Sequence, residues 1–371
     1  MAIHLSVVYI QCVGFGVARF DYLGDARASM RGTSDRRTPH AFCMYMNLIF
    51  KSAEFGSCWA KMRNNMKHEQ NFVLVTGNGF DLNLGLKTRY SDFAKSDEWT
   101  TLYEEYAAQS QYYSLLKYLN DQKDVGCWFD IEQALLNYAS ANTERVWKHD
   151  VETDKREYQA ICNALVKYLD NHVRHGKGDL FEKAGIKILR NFKKDTNCRK
   201  IYTFNYTSLG FIARIGSVDS IVPAVHIHGS IEEGNAILGF NINNSTQIIP
   251  AYSFMVKSDN PFFRPIQFEQ DLISADEVII FGHSLNAIDS VYFDSYLRIL
   301  SEDLETNKRL TIITYNENSR QEILNNIRQM GILVPRLFSR GHIDFILTKD
   351  MENNQFTNEK FDNLLKRTFI Y

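Results

Sequence analysis

The sequence predicts an α/β fold with a largely parallel sheet flanked by helices. Short apolar runs recur along its 371 residues without the alternation expected of a sheet that faces water on one side. Between most of them lie stretches with apolar residues every three to four positions, the period of an amphipathic helix. Four of the apolar runs also stop in glycine, asparagine or histidine, residue types suited to the edge where parallel strands open onto a ligand crevice.

The first strand is the run 72–75, which stops in Gly77-Asn78-Gly79 and is followed by an aromatic residue, Phe80, and an acid, Asp81. A tight turn of this kind lets backbone amides approach a phosphate or ribose. A large helical insertion follows at about 95–196, with helical patterns at 102–119, 131–138, 158–172 and 180–192. Strand signals then return. The run 200–204 (KIYTF) ends in Asn205-Tyr206-Thr207, 224–227 ends in His228-Gly229-Ser230, and 277–281 (EVIIF) ends in Gly282-His283-Ser284-Leu285-Asn286. A shorter candidate lies at 236–240, another run at 309–314, and 342–347 reads as a last edge strand. Helical patterns at 288–299, 319–330 and 358–367 alternate with these runs, as parallel strands require.

A net charge of −2 carries no global footprint for nucleic acid. The six cysteines (Cys12, Cys43, Cys58, Cys127, Cys162 and Cys198) form no CxxC pair, so neither a zinc site nor a disulfide framework is implied. Isolated thiols suit the cytoplasm. No apolar run approaches the ~20 residues that span a bilayer. The first 65 residues read differently from the rest, with three of the six cysteines and five of the nine methionines. They form either a poorly patterned extension or an artefact of start-site choice, with translation beginning at Met62 or Met66. The second is favoured, because Met66 to Gln70 lead straight into the first strand. The main domain is then expected over 66–371.

In an open α/β sheet, polar residues that follow strands converge on one crevice. Here these are Gly77, Asn78, Gly79 and Asp81, then Asn205, then His228 and Gly229, then Gly282, Ser284 and Asn286, with Asp289 opening the next helix. Each taken alone has a plainer role. The Gly77-x-Gly79 pair lacks a third glycine and fits a structural turn, and Asp81 fits a helix cap. His226 and His228 share a strand face and fit hydrogen-bonded core histidines. Proton transfer or a ribose contact at His228 is the alternative. Asn205 offers both a donor and an acceptor. Asp130 reads as the N-cap of a helix with Glu132 in its first turn, or as half of an acidic pair.

Taken in order, GNGFDLNLGLKTRYSDF, WFDIEQAL, TFNYT, HIHG, LGF and FGHSLNAIDSVYF resemble the bacteriophage abortive infection family AbiH over about 72–293. More distantly, the order is similar to the sirtuin-like fold, a Rossmann-like sheet whose members bind NAD and some of which cleave it. That resemblance implies that Gly77 and Gly79 line a pyrophosphate and that Asn205 orients the nicotinamide ribose or a water. It implies His228 as base or ribose anchor, and Gly282 and Ser284 as contacts to the second half of the ligand. The zinc cysteines of sirtuins are absent, so protein deacylation is not expected, and no metal is.

Three hypotheses follow: a cytoplasmic antiphage enzyme hydrolysing NAD or a related nucleotide, a non-catalytic nucleotide sensor, and, ranked last, a metal-dependent hydrolase on Asp81, Asp130, Glu132 and His228. In the second, the helical insertion engages a phage or host protein. A homo-oligomer is compatible with each of them.

Overall fold

Strands that are apolar on both faces need a layer of helices above and below. The structure, a computed structural model, describes residues 70–107, 113–123, 130–140, 150–174, 180–193, 199–242, 246–263, 267–303 and 305–368, and two strands near the N terminus. Contacts divide the chain into two units, Met1–His68 and Glu69–Tyr371. In the first unit β1 (Leu5–Gln11) pairs antiparallel with β2 (Arg19–Ala26). The first 65 residues, read above as poorly patterned, therefore contain these two strands. Met62, Met66, Trp128 and Phe129 lie outside the described residues.

In the second unit β3 (Phe72–Thr76), β4 (Arg199–Thr203), β5 (Ala224–His226), β6 (Glu277–Phe281), β7 (Arg309–Thr314) and β8 (Ile343–Leu347) form one sheet. Its order is β5-β4-β3-β6-β7-β8. All of its pairings are parallel. The chain starts in the middle, winds outward through β4 and β5, returns to β6 and winds the other way. That is the Rossmann-like order, with its switch point between β3 and β6.

Among the described residues seven helices separate β3 from β4: α1 (Asn78–Asn83), α2 (Tyr90–Phe93), α3 (Asp97–Tyr106), α4 (Leu115–Lys123), α5 (Ile131–Ser140), α6 (Val151–Arg174) and α7 (Ala184–Leu189). Phe93, Trp99, Leu116, Leu135, Tyr138 and Tyr168 bury their side chains in a separate core of this helical region. The segment 102–119 is not one helix, because α3 ends before the chain turns into α4. Two acids of α6 serve that second start: Asp154 and Glu157 accept from the amides of Leu115 (2.9 Å) and Leu116 (2.8 Å).

Period-2 alternation divides the sheet residues between two further cores. Val73, Val75, Tyr202 and Ile280 face α9 (Phe268–Ser274), α10 (Asp294–Glu302) and α11 (Glu317–Gln329), as Phe268, Leu297 and Ile323 show. Phe72, Leu74, Ile201 and Phe281 face α1, α7, α8 (Leu209–Ile215) and α13 (Gln355–Thr368), through Phe80, Ile186, Leu209 and Phe361. The remaining helix, α12 (Val334–Ser339), precedes the edge strand β8.

Two expectations fail locally. The run 236–240 makes only a single bridge, Phe240 to Val256. Tyrosine hydroxyls bond its carbonyls instead, Tyr206 to Ile237 O (3.0 Å) and Tyr158 to Leu238 O (2.5 Å). The helix expected over 288–299 is a 3-10 turn, Ser290–Tyr292, followed by α10. Among the described residues no helix is long and apolar enough to cross a membrane.

Three glycines join β3 to β6. Gly282 has φ +70°, and a Cβ there would lie 2.2 Å from Phe80 N. Gly341 has a similar φ of +68° but open space around it. Gly341→Ala should therefore cost about 1 kcal/mol, the left-handed penalty alone. Gly282→Ala should cost about 1–3 kcal/mol more, because it also overpacks backbone. Equal shifts in urea midpoint would contradict this assignment.

Candidate functional site

Since all six strands run the same way, their carboxyl ends share one edge. A cleft of about 720 Å³ opens there. Gly77, Asn78, Gly79, Asn205, His228, Gly282, Ser284, Asn286 and Asp289 line it, together with Asp130 and Glu132 from the helical region. It continues past β7 and β8 to Tyr315, Glu322 and Lys349.

The glycine turn works differently from the sequence expectation. Gly77 N–H donates to Phe281 O (3.0 Å), Gly79 N–H to Gly282 O (2.8 Å), and Phe80 N–H to Gly77 O (2.9 Å). These three amides are engaged within the protein and are not offered to a phosphate. The glycines allow α1 to press directly on the end of β6, where side chains would clash. Asn78 stays at the cleft, its Oδ1 accepting from Thr88 Oγ1 (2.5 Å).

Asp81 is neither a cap nor a lining residue. It lies inside α1, 1% exposed, with its carboxylate turned into the protein. Oδ1 accepts from Asn205 Nδ2 (2.9 Å) and Oδ2 from Thr207 Oγ1 (2.8 Å). Asn205 Nδ2 also donates to Gly77 O (3.0 Å). Both amide hydrogens of Asn205 are thus taken, so the polar atom it can present to the cleft is its side-chain oxygen, an acceptor. Burial raises the Asp81 carboxyl to about 7, against the lowering effect of its bonds to Thr207 and Asn205.

The deep end of the cleft holds a buried charge cluster. Lys257, fully buried, donates from Nζ to Glu132 Oε2 at 2.9 Å and lies 3.6 Å from Asp289 Oδ1. It also approaches His228 Nδ1 at 3.4 Å. His283 Nδ1 accepts from Leu285 N–H (3.0 Å), which leaves its Nε2 as the protonated nitrogen of the neutral ring, 3.4 Å from Asp289 Oδ2. Phe204 separates the two imidazoles, its ring 5.2 Å from His228 and 4.4 Å from His283. Asn286 Oδ1 accepts from Asp289 N–H (3.0 Å) and so shapes the turn that delivers the acid. In the same stretch Leu285 has φ +53°, a left-handed conformation rare for leucine.

One ammonium among several buried acids cannot neutralise all of them. Burial acts to raise Asp289, but Lys257 and the His283 bond outweigh it and hold this carboxyl well below its usual range. Burial wins at Glu132 and raises it to about 7 in spite of Lys257. Burial, reinforced by Lys257, keeps His228 far below the usual imidazole value. At neutral pH the cluster therefore contains ionised Asp289, charged Lys257 and neutral His228.

Several assignments shift as a result. His228 is not on a strand face, since β5 ends at His226 and the chain turns there; the half-buried His226 contacts Asn205 O through Nδ1 (3.0 Å). Asp130 does cap α5, accepting from the amides of Glu132 (3.1 Å) and Gln133 (3.2 Å), while also lining the cleft. The acidic metal site has no geometry to support it: Asp81 faces away, Lys257 stands beside Glu132, and among the described residues no three His, Cys, Asp or Glu side chains group as ligands. Lys257 and His283 were missed as site residues. His283 lies inside a quoted motif, but Lys257 merely follows the apolar segment 251–256 and has no local signal.

A family model for bacteriophage abortive infection AbiH matches residues 73–315, more than half of the chain. The chain belongs to the AbiH family. That family's description links it to abortive infection, a defence against bacteriophage. No curated protein sequence matches this AbiH-family chain. Solved structures similar to it include a sirtuin from work on sirtuin substrate affinity, 8% identical, covering 74% of this chain and 99% of that one, with a TM-score of 0.27. A Sir2 bound to the inhibitor EX-527, 2′-O-acetyl-ADP-ribose and deacetylated p53 peptide is 8% identical, covering 74% and 100%, with a TM-score of 0.25. A Sir2–p53 peptide–NAD⁺ complex is 10% identical, covering 73% and 98%, with a TM-score of 0.24. Scores this low add nothing to the strand order, which by itself establishes the fold.

The Asp81 carboxyl provides a test of the site's electrostatics. Its folded value of about 7 lies above the ordinary 3.8. Between these values the folded protein keeps a proton that the unfolded chain releases, so stability falls as pH rises through that interval. In Asp81→Asn the new amide can donate to Thr207 while its oxygen still accepts from Asn205. Wild type should lose stability from pH 5 to 8, and Asp81→Asn should lose measurably less, in urea titrations at each pH. Parallel curves would show that Asp81 is not a raised acid.

Proposed function

We propose that this AbiH-family protein is an antiphage effector that binds NAD or a related nucleotide along the cleft and hydrolyses its nicotinamide–ribose bond. One observation carries the proposal. His228 Nε2 and Asp289 Oδ1 are buried without a hydrogen-bond partner, and they face each other 3.8 Å apart at the deep end of the cleft. The spacing is too long for a direct bond and suits a water or sugar hydroxyl that accepts from one atom and donates to the other.

In this reading the nicotinamide ribose sits beside Asn205, whose oxygen accepts from a ribose hydroxyl or from the attacking water. Water adds its oxygen to the anomeric carbon as the carbon–nitrogen bond breaks. The bonding pair leaves with nicotinamide, which departs neutral, and the water's proton passes to Asp289. An anionic Asp289 also stabilises the positive charge that grows on the ribose ring. Neutral His228 holds the nucleophile as a hydrogen-bond donor. Asn78, Ser284 and the outer cleft take the remainder of the nucleotide. The scattered thiols fit action in the cytoplasm.

Nucleotide sensing without turnover is the second reading. It is favoured by the Lys257–Glu132 bond, which connects the sheet site to α5 of the helical region, where a phage or host protein would engage.

Purified protein incubated with NAD should release nicotinamide. Asn205→Ala and His228→Ala should each lower the rate by about 10²-fold or more, the usual loss for a proton-transfer or positioning group. Saturable NAD binding without release, abolished in both variants, would replace hydrolysis with sensing. No binding in calorimetry would remove both readings.

A further inference from the structure

The cluster contains a residue that reaches no ligand yet faces three groups of the site. Lys257 comes from the loop segment between β5 and β6, in a 3-10 turn, Lys257–Asp259. Its backbone is pinned by N–H donation to Phe240 O (2.8 Å). Gly239, with φ +148°, leaves room beside it: a Cβ there would lie 2.1 Å from Met255 O and 3.7 Å from Lys257 Cγ. The ammonium is fully buried, within 2.9 Å of Glu132 Oε2, 3.4 Å of His228 Nδ1 and 3.6 Å of Asp289 Oδ1.

An ammonium has donors and no acceptor, so a contact with His228 Nδ1 is productive only when that nitrogen carries a lone pair. The ring proton of His228 must then sit on Nε2, the atom that faces Asp289 Oδ1. With the other tautomer, Nδ1–H would point at a positive charge, and a lone pair on Nε2 would face a carboxylate. A charged ring would bring a second cation against Lys257. The same ammonium keeps Asp289 in the acceptor form. We propose that Lys257 is a positioning residue that holds His228 as its Nε2–H tautomer opposite an ionised Asp289, so that the deep cleft offers one donor and one acceptor to a single hydroxyl. The identity of that hydroxyl, on a ribose or a water, rests on the nucleotide reading above; the tautomer does not.

The groups facing His228 are Lys257 and Asp289, with His283 close by and Glu132 and Asp130 on the far side of the ammonium. Carboxylates alone would draw a proton onto His228. Lys257 opposes that, so its removal has a defined sign: the ring should titrate at higher pH.

Long-range ¹H–¹⁵N spectra of the histidine rings test this, with His228 assigned by comparison with His228→Gln. In wild type, His228 should show the Nε2–H pattern and no titration between pH 5.5 and 8. An Nδ1–H pattern, or an imidazolium at pH 7, in wild type would overturn the proposal whether or not any variant folds. In Lys257→Met the ring should take up its proton at higher pH than in wild type, and nicotinamide release should drop on the order of tenfold, as when a group orienting a functional histidine is lost. Lys257→Arg keeps the cation and should preserve the Nε2–H pattern. A folded Lys257→Met whose His228 signals match wild type also refutes the role. If the spectra behave as expected but NAD neither binds nor reacts, the nucleotide reading fails and the tautomer assignment stands.

Discussion

Backbone packs directly on backbone where β3 and β6 end, and the site depends on that contact. Gly77 and Gly79 lie so close to the end of β6 that a Cβ on Gly77 would fall 2.8 Å from Gly282 and His283, and one on Gly79 2.7 Å from Gly282. The contact is sealed by Gly79 N–H bonding to Gly282 O (2.8 Å). It brings α1 into the switch point of the sheet and sets the spacing between Asn205, held through Gly77 and Asp81, and the β6 loop that carries His283 and Asp289. A side chain at any of the three glycines would push these two halves apart.

Charge balance is the second organising constraint. Water is largely excluded from the deep cleft, so each ionised group needs a partner or a reason to stay neutral. Lys257 satisfies Glu132 and Asp289 incompletely, and the residue of that imbalance is a carboxylate, Asp289 Oδ1, with no hydrogen-bond partner. Two buried polar atoms without a hydrogen-bond partner, His228 Nε2 and Asp289 Oδ1 at 3.8 Å, cost stability, a cost that the proposed hydroxyl would offset.

The helical region is more than a cover. Glu132 of α5 reaches Lys257, and Tyr90 of α2 donates to Glu132 Oε1 (3.0 Å). The sheet end, the β5–β6 loop and two helices of the region therefore meet in one hydrogen-bonded cluster. Displacement of α5 would change the electrostatics around His228 directly, without any relay through the sheet.

The sequence by itself determined the sheet. Apolar runs such as 277–281, alternating with helical patterns, read as strands buried on both faces, and their polar terminators mark the edge where a parallel sheet opens, because strand direction is enough to place them together. Nine of the eleven strand-end residues singled out line the cleft for that reason, Asp81 and Gly229 being the exceptions. Side-chain direction was not legible. Asp81 is adjacent in sequence to the glycine turn but points inward, because a helix turns each successive residue by about 100° and Asn205 and Thr207 were there to receive it. Only the tertiary structure could recruit Lys257, 120 or more residues from the first acids it meets, since its meaning comes from a loop returning over the site and not from any neighbour in the chain.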